Sequence, residues 1–123
     1  IEFKDKFVDG LKDLDGFSHV YLIYYFHKID KHKLTVVPFN DKTNSLRGVF
    51  STRTPMHPNS IGLSVVELID IKNNIVTIKG VDILDGTPLL DIKPYIENFD
   101  KVSNEVKNGW MKSSSEEIIS IRS

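Results

Sequence analysis

The sequence predicts an all-β, mainly antiparallel fold, a single β-barrel with short flanking helices, on three observations. β-rich runs follow one another closely: "HVYLIYYFHKI", "KLTVVPF", "IGLSVVELIDI", "NIVTIKGVDI" and "LLDIKPYI". Turn chemistry separates them, with Lys72-Asn73-Asn74 between the two longest runs and "LDGTP" ahead of the last. Helical periodicity is confined to short stretches near the two ends. Strands at this density with so little helix argue for a barrel or a curled antiparallel sheet.

Each element has its own warrant. In "KDKFVDGLKDLDGFSHV", Phe7, Leu11 and Leu14 recur at spacings of four and three, which predicts a short amphipathic helix stopped near Gly16, with Gly10 weakening it. "HVYLIYYFHKI" is apolar on both parities and reads as a central strand covered on both faces. "KLTVVPF" is a second strand whose Pro38 sets its end at an edge or a bend, and the loop "NDKTNS" leads from it into "LRGVFSTRT". The next two runs form a hairpin, because the asparagines between them tolerate the positive backbone angles of a tight turn. "LLDIKPYI" is a strand ending at a proline. Val102, Val106 and Trp110 then recur every four residues behind Ser103, a capping residue, and predict a short helix whose tryptophan packs back on the barrel. We expect a barrel domain over 1–110 and a tail over 111–123. Ile118, Ile119 and Ile121 make that tail an added strand or a loose end. No internal repeat or low-complexity linker interrupts the chain.

Composition excludes several classes of function. Sixteen basic residues against 17 acidic ones over 123 residues leave a formal charge of -1, so any RNA contact rests on a local patch and not on a global field. The absence of cysteine removes disulfides, thiolate nucleophiles and cysteine-bound zinc. The longest apolar run, Val20 to Phe26, is too short to span a bilayer, and no signal-peptide pattern opens the sequence, so a cytoplasmic protein is expected. "IEF" at the start reads like the middle of a strand, and residues upstream of Ile1 are expected.

Three places carry chemistry. The corner "STRTPMHPNS" sets Arg53 two residues ahead of Pro55, whose ring holds the intervening Thr54 extended and so limits the paths of the backbone that carries the guanidinium. A planar fork so aimed suits a carboxylate or phosphate, and an ordinary exposed loop arginine is the plain alternative. His57 and Asn59 share the corner and either hold a ligand or cap the turn. In "LDGTPLLDIKPY", Asp91, Lys93 and Tyr95 alternate onto one face, opposite Leu90, Ile92 and Pro94, and could orient a polar substrate or simply meet solvent. Asp85-Gly86-Thr87-Pro88 is a turn whose backbone donors could serve a pocket, although the tetrapeptide does not require one. His19 and His27 share a parity with Tyr21, Ile23 and Tyr25. No H-x-H or H-E-x-x-H spacing supports a metal, which leaves His19 structural and His27 a pocket wall. The G-x-G-x-x-G fingerprint is absent, so a nucleotide-like cofactor would be bound without a Rossmann fold.

Taken together, "DGLKDLDGFSHVYLIYYFH", "GVFSTRTPMHPNSIGLSVVEL" and "GVDILDGTPLLDIKPYI" closely resemble three successive blocks of the TsaA-like family, the tRNA methyltransferases called TrmO. The order and spacing agree from about Ile1 to Trp110. The resemblance implies a dimeric β-barrel enzyme that uses S-adenosylmethionine to methylate threonylcarbamoyl-adenosine beside the tRNA anticodon. Carried over position by position, it implies cofactor contacts at His27, Lys28, Arg53 and Leu63 and at the turn Leu84, Asp85, Gly86 and Thr87. It implies substrate contacts at His57 and Asn59, and catalysis-linked roles for Asp91, Lys93 and Tyr95. On this reading the proline-stiffened corner holds Arg53 and Leu63 as two sides of one cofactor pocket.

His57 stands where the family pattern has arginine and Ser60 where it has proline, and the pattern places a further strand and a P-R-Q-x-G loop ahead of the first block. A non-catalytic barrel that binds S-adenosylmethionine or RNA is the first alternative. A generic single-strand RNA-binding barrel, stacking bases on Tyr21, Tyr25 and Tyr95, is the second.

Overall fold

The computed structural model describes residues 1–29, 31–80 and 83–111. They are mostly strand and turn, with few helical residues, and divide into two compact units. The first comprises Ile1–Lys28 and Ile61–Lys101, the second Ile29–Ser60 and, among the described residues, Val102 to Met111.

The first unit is built on four antiparallel strands: β1 (His19–Tyr25), β4 (Ile61–Lys72), β5 (Ile75–Lys79) and β6 (Leu89–Pro94), in the order β5-β4-β1-β6. β1 is interior, as its two-sided apolar pattern predicts. Its even positions Val20, Leu22 and Tyr24 are buried and join Val66, Val76, Leu11 and Leu14 in the core. Burying side chains of this size stabilises by about 1.5–3 kcal/mol each. The odd positions Tyr21 and Ile23 are half-buried. β5 and β6 are the two edges, and among the described residues no ladder joins them to close a barrel. Residues Ile1 to Phe3 run along β5, bridged at Glu2 and Ile75. The predicted hairpin is present, with Lys72 paired to Ile75 and Asn73 at φ 54° in the turn.

The predicted amphipathic helix over Phe7 to Leu14 is instead two 3-10 turns, Asp5–Leu11 and Leu14–Gly16, with Leu11 and Leu14 buried and Phe7 exposed. Gly10 and the left-handed Asp13 at φ 69° interrupt an α-helix too short to stabilise itself, so only the inward leucines survive of the expected pattern. A single α-helical turn, α1 (Glu97–Asp100), follows β6. The helix expected over Val102 to Trp110 does not form. Val102 and Val106 are exposed, and three apolar residues among Ser103, Asn104, Asn108 and Gly109 offer too little stripe to offset poor propensity. Ile118, Ile119 and Ile121 lie outside the described residues.

The second unit has a two-stranded ladder of β2 (Thr35–Val36) and β3 (Arg47–Gly48), followed by a 3-10 turn over Val49–Ser51. β2 stops two residues short of Pro38, so the proline ends the strand as its missing N–H predicts.

Candidate functional site

One end of the first unit's sheet gathers most of the cofactor candidates. Antiparallel pairing sets Tyr25 of β1 against Ile61 of β4, and Tyr24 against Leu89 of β6. His27 and Lys28 continue from β1 at this end, both exposed. The turn Leu84 to Thr87 enters β6 here, and the Tyr25 N–H donates to the Pro88 carbonyl at 3.0 Å. The turn closes by a bond from the Thr87 N–H to the Leu84 carbonyl, with Gly86 at φ 84°, the positive angle a type II turn demands at its third residue. Leu84, Asp85, Gly86 and Thr87 line a cleft of about 450 Å³, whose apolar walls include Leu22, Ile78 and Leu89. The cleft's volume falls within the range of small-ligand sites, and its lining is as much polar as apolar, with Glu2 and Asp85 among it.

On the sheet face opposite the core, register aligns a second set. Leu63, Ile23 and Asp91 form one row across β4, β1 and β6, and Val65, Tyr21 and Lys93 form the next. A bulge at Leu90 produces this arrangement. Tyr24 pairs with Leu89 and Ile23 with Asp91, so the extra residue turns Leu89 to the core while Asp91 faces away. The expectation that Leu90 lies with Ile92 and Pro94 is thereby corrected: Ile92 packs on the core, and Leu90 is the exposed bulge residue.

Asp91 Oδ2 is 3.0 Å from Lys93 Nζ, and Asp91 Oδ1 accepts the Ile92 N–H at 2.8 Å. The Lys93 bond, aided by that N–H against the cost of desolvation, holds the Asp91 carboxyl below its ordinary range. Tyr95 stands beside Tyr21 with ring centroids 5.8 Å apart, and its other neighbour is His19 at 6.4 Å. Partial desolvation, then Asp100 and Tyr95, raise the Tyr21 phenol above its ordinary value.

The proline-rich corner belongs to the second unit. Thr52 is buried, its hydroxyl donating to the Val49 carbonyl at 2.7 Å. His57 Nε2 lies 2.9 Å from the Thr52 carbonyl, donating to it, and the ring sits edge-on to Phe50. The imidazole thus closes the turn and has only Nδ1 left for a ligand. Between Thr52 and Thr54, Arg53 is exposed, and among the described residues its guanidinium has no partner. Asn59 is exposed, and Ser60, where the family pattern has proline, is buried with its hydroxyl toward the His57 carbonyl at 3.5 Å. Its side-chain bond ties the turn that a proline would have stiffened.

Sequence reasoning missed an anchored network in the same unit. Asp41, 7% exposed, accepts bonds from the Thr43 N–H, the Thr43 hydroxyl and Arg47 Nε at 2.8 Å. Arg47 lies over the Trp110 ring at 5.5 Å, and the Trp110 indole donates to the Ser51 carbonyl at 2.8 Å. "NDKT" reads in the sequence only as part of a loop, although an aspartate two residues ahead of a threonine N–H can form an Asx-turn; nothing local pointed from Arg47 to a tryptophan so far along the chain. Among the described residues no group of histidines and carboxylates is arranged to hold a metal, and no helix is long and apolar enough to cross a membrane.

The chain is similar to proteins of one family. Residues 1–101 match the family model for the tRNA-methyltransferase O N-terminal domain. A Pyrococcus abyssi protein named "Probable S-adenosyl-L-methionine-binding protein" is 49% identical over 114 residues, covering 93% of this chain and 60% of that protein. The mouse tRNA (adenine(37)-N6)-methyltransferase is 44% identical over 98 residues, covering 77% of this chain and 22% of the enzyme. The crystal structure of TrmO from Pseudomonas aeruginosa superposes with a TM-score of 0.69 at 37% identity, over 88% of this chain and 45% of that one. The chain therefore spans less than two thirds of each of these relatives. With these matches and the same three sequence blocks, the chain belongs to the tRNA-methyltransferase O N-terminal domain family.

Proposed function

We propose that this chain carries the methyl-transfer site of an S-adenosylmethionine-dependent tRNA methyltransferase acting on the exocyclic amine of the adenine at position 37, with threonylcarbamoyl-adenosine as the preferred form. The observation that carries this reading is the gathering of His27, Lys28 and the Leu84 to Thr87 turn at one end of one sheet, with that turn running directly into the strand whose Asp91 and Lys93 share the outer face with Leu63. The names of the mouse enzyme and the archaeal binding proteins support the reaction and the cofactor.

When bound, S-adenosylmethionine would supply an electrophilic methyl on a sulfonium: the new N–C bond would form as the C–S bond breaks, with S-adenosylhomocysteine as the leaving group and the amine's proton passing to solvent water. The amine is a poor nucleophile because its lone pair is spread into the purine, so most of the protein's contribution is orientation, which can supply up to about 7–11 kcal/mol. Arg53, with an unpaired guanidinium on a stiff backbone, is suited to a carboxylate such as that of the cofactor. Lys93 is the partner we assign to the threonyl carboxylate. His57 is the weaker candidate, because its Nε2 is engaged with the Thr52 carbonyl. Asp91 is held ionised by Lys93, which makes it a weak base. Its role is to hold Lys93 in place, with Tyr95 and Tyr21 forming a wall beside them.

The same reading includes a homodimer, a cytoplasmic setting and closure of the strands into a barrel. The dimer and the setting rest on the family resemblance alone, and closure rests on that resemblance and on an antiparallel sheet with two register shifts.

The test is transfer of labelled methyl to tRNA with and without the threonylcarbamoyl group. We expect Lys93→Ala to lower single-turnover transfer to the modified tRNA roughly ten- to a hundredfold, as loss of a charge-assisted bond does, with little effect on unmodified tRNA. Equal loss on both tRNAs would remove Lys93 from substrate recognition. Cofactor binding without any transfer would favour the alternative of a binding module, which the names of the archaeal relatives also fit.

A further inference from the structure

Arg53 is exposed and unpartnered among the described residues, so nothing at its own tip sets its direction. Whatever aims it acts through the backbone on either side. On the C-terminal side the Thr54 N–H reaches the Thr52 hydroxyl at 3.4 Å and Pro55 restricts Thr54. On the N-terminal side, two residues before Arg53, the Ser51 carbonyl accepts the Trp110 indole N–H. Trp110 lies beyond residues 1–101, which the family model matches, and it is the chain's sole tryptophan.

The indole is itself located by a chain of contacts. Asp41 is nearly buried and gathers three donors, so its carboxylate has one arrangement. It fixes Arg47 by Nε, while Arg47 Nη2 donates to the Thr43 hydroxyl at 3.1 Å, which orients the guanidinium plane. β3 holds the Arg47 backbone through its pairing with Val36, and the guanidinium covers one face of the indole. The links to Asp41 and Thr43 are hydrogen bonds, the guanidinium stacks over the indole at 5.5 Å, and the last bond ends on the carbonyl that opens the corner.

We propose that Trp110, held by Asp41 through Arg47, is a positioning residue for the Thr52 to Ser60 corner and sets the direction in which Arg53 leaves the backbone. This rests on the reading that Arg53 contacts the cofactor. Trp110 touches neither cofactor nor substrate in this account. Its effect is to reduce the number of backbone states the corner samples before a ligand arrives, which raises affinity.

Two measurements test it. Trp110→Phe keeps an aromatic ring for Arg47 to cover and removes the N–H together with the pyrrole part of the indole. We expect the dissociation constant for S-adenosylhomocysteine, read by calorimetry, to rise roughly two- to tenfold, the range set by loss of one hydrogen bond. In an Arg53→Ala background the same substitution should add nothing further, because the guanidinium it aims is gone. Asp41→Asn should act in the same direction as Trp110→Phe. Independently of any ligand, amide hydrogen exchange at Thr52 and Thr54 should accelerate in Trp110→Phe while amides of β1 and β4 keep their rates. Unchanged exchange at Thr52 and Thr54 overturns the proposal, as does a Trp110→Phe effect of equal size with and without Arg53. If Arg53→Ala alone leaves binding unchanged, Arg53 is not a cofactor contact and that part of the functional reading fails. The exchange rates then decide by themselves whether Trp110 holds the corner.

Discussion

At the scale of the residue, Gly62 shows how a motif position gets its identity from packing. It lies in the "NSIGL" stretch, paired with Tyr24, and a Cβ at Gly62 would overlap the Tyr24 ring. That ring is 7% exposed, and its hydroxyl is 2.8 Å from Ser64 Oγ, so it has little room to retreat. Gly62→Ala should therefore destabilise the protein by about 1–3 kcal/mol, the cost of overpacking a filled core, as read from the urea midpoint. The companion Tyr24→Phe, which frees the ring to shift, should reduce that penalty; full stability of the Gly62→Ala variant would show that the ring moves freely. The sequence made Arg53, Asp91, Lys93 and Tyr95 legible because proline restriction and strand alternation act over a few residues. It left Asp41, Arg47 and Trp110 unread as a group, since their meeting depends on tertiary contacts that no local period encodes.

At the scale of the element, the long strands were legible and the irregular ones were not. β1, β4 and β5 declare themselves by β-branched and aromatic runs and by the Asn73-Asn74 turn, and β2 falls inside the expected "KLTVVPF" strand but is only two residues long, while β3, also two residues, leaves almost no pattern. The helices near both ends were misread because a spacing of three and four residues is weak evidence when Gly10, or Ser103 with Gly109, undercuts the propensity. The bulge at Leu90 was invisible in the sequence, yet it decides that Asp91 and Lys93 share a face with Leu63. The hairpin gives a direct check on backbone conformation. Asn73 is held at φ 54°, which asparagine accepts and β-branched residues resist. Asn73→Val should destabilise by about 1–2 kcal/mol with an unchanged dependence on denaturant, and Asn73→Gly should be near neutral. Equal stability of the valine and glycine variants would mean that the turn adopts another conformation in solution.

At the scale of the whole molecule, the division into two units gives an acid-unfolding prediction with a built-in reporter. The Arg47 bond, the Thr43 hydroxyl and the Thr43 N–H together lower the Asp41 carboxyl from 3.8 to about 2, with desolvation opposing them. A group whose folded value is depressed stabilises the fold fully above its unfolded value, and that contribution is lost as pH falls through the folded value. The Asp41 contribution is therefore complete above about pH 4 and is withdrawn between there and about pH 2. Asp91 in the first unit is depressed in the same sense, but its pair with Lys93 has side chains 47% and 62% exposed, so solvent screens it and little stability follows. Acid should accordingly loosen the second unit first. Trp110, the sole tryptophan, sits in that unit against Arg47 and Ser51, so its fluorescence reads the second unit alone. On acidification the Trp110 emission should shift toward the red at a higher pH than the far-ultraviolet signal of the β5-β4-β1-β6 sheet is lost. Asp41→Asn, which has no carboxylate to protonate, should show the red-shifted emission already at neutral pH and no further step in the acid range. Coincident transitions by both probes in the unsubstituted protein would mean that the two units unfold as one, and that protonation of Asp41 is felt by the sheet as strongly as by the corner that carries Arg53.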